Sequence, residues 1–456
     1  MSKRKLILSV LINGVLLSSL YVAGAVDVAP GSGNGVAIGT GSNAPKAENV
    51  AIGKGATIEY SGGVGQPSTG DIVIGGKAHI NNYIDQGGGI AIGANSFVEN
   101  MVGGMERAFD FNQAGYKNLF GIPFGLPKNP EKMVTGMAIG QNTYARSGSI
   151  MLGTHNYKGK LGDVDVDSSN TKNNNGHLFS TTIGANSYSN GLFSSIVGAY
   201  SIASSGYPTT TADATKNFGA TITGSLNSIE SASASSQYSG VANSIVGTAN
   251  RTFNSNGSLV FGAGNEITNS VADISAPSSG GNSAKELAEK LRSAVKNSNG
   301  GGSTMAFGSG NKADYTLRSA LMGVNNTLTG SKGNESTNTM LTGFHNTADK
   351  VFNTTVIGSE NTVTNSKNSL VMGDNREVKD ANHAVLIGST DSKTTTSVNN
   401  AVAVGHNTNV TVEGGVALGS ESKATVAAGS VGYDPSTKAQ STNTDSTWKA
   451  TKSAVS

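Results

Sequence analysis

Apolar residues recur along the chain in short alternating runs that end on glycine. Val36-Ala37-Ile38-Gly39 is followed by Val50-Ala51-Ile52-Gly53, Ile72-Val73-Ile74-Gly75 and Ile90-Ala91-Ile92-Gly93. Met137-Ala138-Ile139-Gly140 and Ile150-Met151-Leu152-Gly153 continue the series. Later runs end at Gly373, Gly388, Gly405 and Gly419, and weaker copies at Gly184, Gly198, Gly224, Gly247, Gly262, Gly308, Gly323, Gly343 and Gly358. That makes 19 units; from Gly343 to Gly388 they are 15 residues apart, and elsewhere the short spacings are 13 to 15. The residues one and three before the glycine are usually apolar, and the one between is often small. After the glycine, the third residue is small or Asn and the fifth is often apolar, as in Ala56 and Ile58 or Asn326 and Leu328. Alternation with period two predicts two short strands per unit, each with one buried face. The glycine between them permits backbone angles closed to other residues. A fixed period of this size marks a solenoid. The predicted fold is therefore all-β, a parallel β-roll of about 19 rungs of 14–15 residues. Strands stacked ~4.8 Å apart would make it a rod of roughly 90 Å.

Asn227, Asn250, Asn265, Asn311, Asn326, Asn346 and Asn361 share the third position after the glycine. Stacked amides bond from rung to rung wherever like residues repeat up a β-stack, so these read as a structural ladder rather than a ligand row. Small inward residues leave a thin core. The large residues just before each glycine need cover, which self-association of several coils would supply.

Insertions interrupt the array at 94–139, 154–183, 199–223 and 263–307. The first carries Phe109, Phe111, Tyr116, Phe120 and Phe124, with Pro123, Pro127 and Pro130 as stiffeners. Exposed aromatics on a rigid loop are good ligand anchors; the simpler alternative is a satellite core packed on the roll or a neighbouring protomer. Asp163, Asp165 and Asp167 alternate in the second insertion but lack the Gly and Glu of a calcium loop. In the fourth, Ser283-Ala284-Lys285-Glu286 is a capping box. Leu287, Leu291 and Val295 then lie on one face of a short helix, docked on the roll.

Composition sharpens this picture. There are 62 Gly and 47 Asn among 456 residues, and no Cys. The missing Cys excludes disulfides, iron–sulfur clusters and thiolate zinc sites. Lys3, Arg4 and Lys5, the apolar run Leu6 to Val22 and Ala23-Gly24-Ala25 form a signal peptide over 1–25, followed by a linker at 26–33. Removing those three from the 32 basic residues leaves 29 against 30 acids, so the net charge moves from +2 to about −1. No basic face for nucleic acid is evident, and no later stretch reads as a membrane helix. Phosphate-loop and zinc-protease motifs are absent. The six His are scattered, and no pair of acids recurs at matching positions on neighbouring rungs. Catalytic, metal and cofactor sites are therefore not expected.

The pattern Val/Ile-Ala-Ile-Gly-x-x-Ala/Ser-x-Ala every 14 or 15 residues, closest at Gly39, Gly53, Gly405 and Gly419, resembles the YadA-like head repeats of trimeric autotransporter adhesins. The resemblance covers residues 34–432. It implies a left-handed parallel β-roll, assembly as a homotrimer, a place at the cell surface or outer membrane, and attachment to host matrix, host cells or other bacteria. Residues 433–456, with Gly432-Tyr433-Asp434-Pro435 and Trp448-Lys449, resemble a connecting segment of such heads. The coiled-coil stalk and membrane anchor usual in the family are not in this sequence, which leaves its own means of attachment open. A secreted structural solenoid, which regular Thr rows would favour although the Thr here are irregular, and a polysaccharide-cleaving β-helix enzyme remain as rival expectations.

Overall fold

The computed structural model describes residues 29–60, 70–82, 88–100, 135–146, 148–156, 179–189, 191–207, 216–232, 239–271, 274, 284–298, 302–443, 445–446 and 448–456. The signal peptide, the five loop aromatics from Phe109 to Phe124, the alternating aspartates and Ser283 lie outside the described residues. The chain forms two compact units, Met1–Val102 with Leu126–Ser147, and Gly103–Gly125 with Gly148–Ser456.

In the first unit the runs Val36–Ile38, Val50–Ile52, Ile72–Ile74, Ile90–Ile92 and Met137–Ile139 pair in parallel in that order. The register carries each residue onto its counterpart one repeat later, so Ala37, Ala51, Val73, Ala91 and Ala138 stack. A second parallel sheet joins Thr57–Tyr60, His79–Asn82, Phe97–Asn100 and Tyr144–Arg146. Ile58, Ile80, Val98 and Ala145 are its inward residues and are fully buried. Residues 29–35 pack on the first rung: Gly31 N donates to Ala37 O at 3.1 Å and Ser32 N to Ser42 O at 2.9 Å.

The second unit repeats this plan. Its first sheet runs from Ile150–Thr154 to Val416–Leu418 and its second from Tyr188–Ser189 to Thr394–Thr396, all strands parallel. Here the inward residues are often larger, with Ile222/Ile229, Leu321/Leu328 and Val356/Val363 meeting across the coil. The core is still one side chain thick per strand, which explains the short strands. Gly247 shows why the repeat glycine is needed. Its φ is 132°, and a Cβ there would sit 1.8 Å from Gly262 O on the next rung.

The other corners also use left-handed backbone, mostly at polar residues. Asn325, His345, Glu360 and Asn375, two places after the glycine, have φ of 54–60°. Asn338, Asn353, Asn368 and His383 turn the corner before the next run with φ of 49–58°. Asn tolerates this region better than most residues, so much of the asparagine excess sits at corners as well as in the interior column.

The helix is Ala284–Asn297. Leu287 is buried and Leu291 and Val295 half-buried, while Lys285, Glu289 and Arg292 face solvent. A Cβ on Gly219 would lie 3.8 Å from Leu291 Cδ2, which places the apolar stripe over that corner of the coil. Past the last repeat, Tyr433–Asp434 and Ala439–Gln440 form an antiparallel hairpin. Val455 then pairs in parallel with Val416.

Candidate interaction face

Within each first-sheet strand the middle side chain points inward, so the residues on either side of it point out. In the first unit these are the large apolar members of the repeat: Val36, Ile38, Ile72 and Ile74 are exposed, and Val50, Ile52, Ile90 and Ile92 half-buried. In the second unit the corresponding positions of its own first sheet hold Ile150, Phe261, Met305, Met322 and Leu418, of which Phe261 is 54% and Leu418 52% exposed. Phe261 and Phe307 stack at 6.4 Å along the column. The outward column three places before the glycine turns to Thr181, Ser195, Thr221 and Ser244 over four consecutive rungs. It is apolar again at Leu259, Met305, Ala320 and Met340, before Thr355 interrupts it once more. Each unit thus presents a flat apolar sheet face of a kind that soluble monomers seldom leave uncovered.

The seven ladder asparagines come together as one buried column in the second unit. Asn311 is typical: its Nδ2 donates to Asn265 Oδ1 and Gly323 O, both at 2.9 Å, and its Oδ1 accepts from Asn326 N and Nδ2, both at 3.1 Å. Each amide is therefore satisfied on both sides, and all point the same way along the stack. Ser201 starts the series, accepting from Asn227 N, and Arg376 ends it, its N donating to Asn361 Oδ1 at 2.9 Å.

Within each unit a buried polar residue stands immediately before many of the first-sheet strands, a feature sequence reasoning missed, while others have Gly or Ala there. Asn49, Asp71, Ser149, Ser180, Ser194, Asn243, Thr304 and Thr339 hold such positions, all buried. The signal was present in the sequence: the residue preceding each apolar run is repeatedly Asn, Ser or Thr. Buried ionic groups were missed too. Glu99, Tyr144 and Arg146 form a cluster in the first unit, Arg146 donating to Tyr144 Oη at 2.7 Å and to Glu99 Oε2 at 2.9 Å, while Tyr144 Oη also bonds Glu99. Burial pushes the Tyr144 hydroxyl well above its usual range, so it stays a neutral donor. The Tyr144 and Glu99 oxygens raise the Arg146 pKa against the effect of burial.

Two exposed histidines sit beside acids one repeat away. His345 Nδ1 is 2.9 Å from both carboxylate oxygens of Glu360, and His406 Nε2 is 3.1 Å from Asp391 Oδ1. No group of three or more His, Asp or Glu converges on a common point among the described residues. Among those residues, no helix is long and apolar enough to cross a membrane. No protein-family model matches the chain, and no curated protein matches it either.

Proposed function

We propose that the chain is a non-catalytic adhesin head of the trimeric autotransporter class, three copies of which pack through their apolar sheet faces. The observation that carries this reading is the outward apolar positions within each unit, Val36, Ile38, Ile72 and Ile74 in the first and Phe261 and Leu418 in the second. Covering them removes apolar area from water at about 25 cal/mol per Å², and a second coil with the same 15-residue repeat meets them in register. The remaining outward surfaces and the insertions then face the surroundings, where they bind host matrix, host cells or other bacteria. On this reading the chain is exported and displayed at the cell surface. Sedimentation equilibrium of the chain lacking residues 1–25 tests it: about three times the monomer mass is expected, and a folded monomer overturns the assembly. Binding of the labelled protein to matrix proteins and cell surfaces tests the adhesive role.

One observation favours the structural-solenoid reading. Thr327, Thr347 and Thr362 are register partners on three successive strands, with Thr329 and Thr364 beside them. That row is bounded by Lys312 and Glu377. A protein that assembles but fails to adhere to any surface would support this second reading.

A further inference from the structure

Asp71 lies fully buried inside the coil of the first unit, in the column that holds Asn49 one rung before it and Gly89 one rung after. Its Oδ2 accepts from Tyr60 Oη at 2.8 Å and from Asn82 Nδ2 at 3.0 Å, and its Oδ1 from Gly89 N at 2.9 Å. Its own N–H donates to Asn49 Oδ1 at 3.1 Å. Among the described residues, the charged side chains on the elements around it form no ion pair with it. The Lys46 ammonium stands 4.3 Å over the Tyr60 ring, and Glu59 and His79 pair with each other at 3.4 Å. A carboxylate is thus placed where its charge is costly, and among the described residues no direct ion pair offsets it. Neighbouring interior positions use a neutral amide instead, at Asn49, Asn82 and Asn100.

Tyr60 makes this site able to accept a proton. Its Oη lies 2.8 Å from Asp71 Oδ2 and 3.4 Å from Asn49 Oδ1, and it also accepts from Asn49 Nδ2 at 3.1 Å. The hydroxyl hydrogen therefore has two acceptors. When Asp71 is ionised it points to Oδ2. When a proton from solvent binds Oδ2, that O–H donates to Tyr60 Oη, and the Tyr60 hydrogen turns to Asn49 Oδ1. No bond is broken, and one proton is gained. The rest of the chain of amides keeps its direction: Asn100 Nδ2 donates to Asn82 Oδ1 at 2.8 Å, and Gly136 N donates to Asn100 Oδ1 at 2.8 Å.

We propose that Asp71 and Tyr60 form a proton-uptake site inside the coil, which binds one proton on acidification and holds the rungs between Asn49 and Gly136 together more firmly in acid than at neutrality. The inference concerns the first unit alone and does not depend on assembly or adhesion. Burial raises the Asp71 carboxyl above its usual range, outweighing the Tyr60, Gly89 and Asn82 donors and Lys46. A raised folded pKa fixes the sign. The stabilisation is complete below the unfolded value of about 3.9 and is lost as pH rises through the folded value.

Hydrogen exchange of the full chain at several pH values, corrected for intrinsic rates, reads this at the Gly89 and Gly136 amides. In the wild type their protection should rise as pH falls from neutrality to the unfolded value of about 3.9. In Asp71→Asn the rise should be lost, and in Tyr60→Phe, which removes the rotating hydroxyl, it should shrink. Protection that is flat or falls in the wild type overturns the proposal, as does an unchanged pH dependence in Asp71→Asn. Should that variant fail to fold, the carboxyl carbon shift of Asp71 in the wild type decides. A midpoint above the ordinary carboxylate range supports the site, and one within or below that range overturns it.

Discussion

Arg376 reaches past one rung to hold Thr408, its Nη1 donating to Thr408 O at 2.6 Å and its Nη2 to Thr408 Oγ1 at 2.9 Å. The reason lies in rung length. Gly388 to Gly405 spans 17 residues instead of 15, and the third residue after Gly388, Asp391, is exposed rather than stacked inside. The guanidinium runs through the interior there, donating also to Gly388 O at 2.7 Å and to Gly405 O at 3.1 Å. Burial lowers its pKa, yet a guanidinium stays charged. Arg376→Ala leaves three interior carbonyls without these donors, at about 1–3 kcal/mol each when nothing replaces them. Urea melts of the full chain should show a loss of about 3 kcal/mol or more, and Arg376→Lys should recover only a small part, because one ammonium lacks the planar fork.

The asparagine column makes a sharper test of hydrogen bonding than of burial. Asn311→Ala deletes both donors and the acceptor for Asn326 N, a loss of about 2–4 kcal/mol. Asn311→Asp keeps the acceptor but turns carboxylate oxygens toward Asn265 Oδ1 and Gly323 O, whose distances to the native Nδ2 are both 2.9 Å. Its folded pKa should rise, so its instability should be greatest at neutral pH, shrink as pH falls through the folded value and be smallest below the unfolded value of about 3.9. Denaturant melts at pH 7 and pH 3.5 compare the two.

Glu99 and Arg146 are both buried. Removing the cation alone, as in Arg146→Ala, strands the carboxylate beside Tyr144 and should cost about 3–5 kcal/mol. Replacing both with Met should restore much of that loss, because neither charge is then left buried. Thermal melts of the single and double variants check the coupling.

Asp391 titrates the opposite way from Asp71. Side-chain hydrogen bonds from Asn407 and His406 hold its carboxyl below the usual range. That stabilisation is present above the unfolded value of about 3.9 and disappears as pH falls through the lower folded value. Asn407→Ala, which removes the Nδ2 donor at 2.7 Å from Asp391 Oδ2, should move the NMR titration midpoint of Asp391 upward.

The apolar face separates folding from assembly. Phe261 and Met322 are exposed in the single chain, so Phe261→Glu and Met322→Glu should leave the circular dichroism spectrum intact. In the proposed trimer they bury charge, and sedimentation should show dissociation.

Much of the coil was legible along the chain because its physics is periodic. An alternation of two inside a repeat of 15 places like residues on like, so the glycine turn, the inward and outward columns and the line from Asn227 to Asn361 follow from spacing. The helix also follows, since Leu287, Leu291 and Val295 need only helical geometry to share a face. Corners were less legible. Asn338, Asn353 and Asn368 carry no pattern distinguishing a left-handed corner from an ordinary loop, although their side chains bond one another at 3.0 and 3.1 Å.

The aperiodic sites were decided only in three dimensions. Asp71 meets Tyr60 and Asn82 across 11 residues and Gly89 across 18, Arg146 meets Glu99 across 47, and Arg376 meets Thr408 across 32. Those separations cross insertions or irregular rungs, where counting along the chain no longer says which side chains share an interior. By itself the sequence determined a stacked parallel β-coil with one glycine per turn, because hydrogen-bond spacing and side-chain alternation are local rules. The tertiary structure decided which buried charges meet and which apolar columns stay uncovered. Those outcomes depend on how whole rungs of unequal length close on one another.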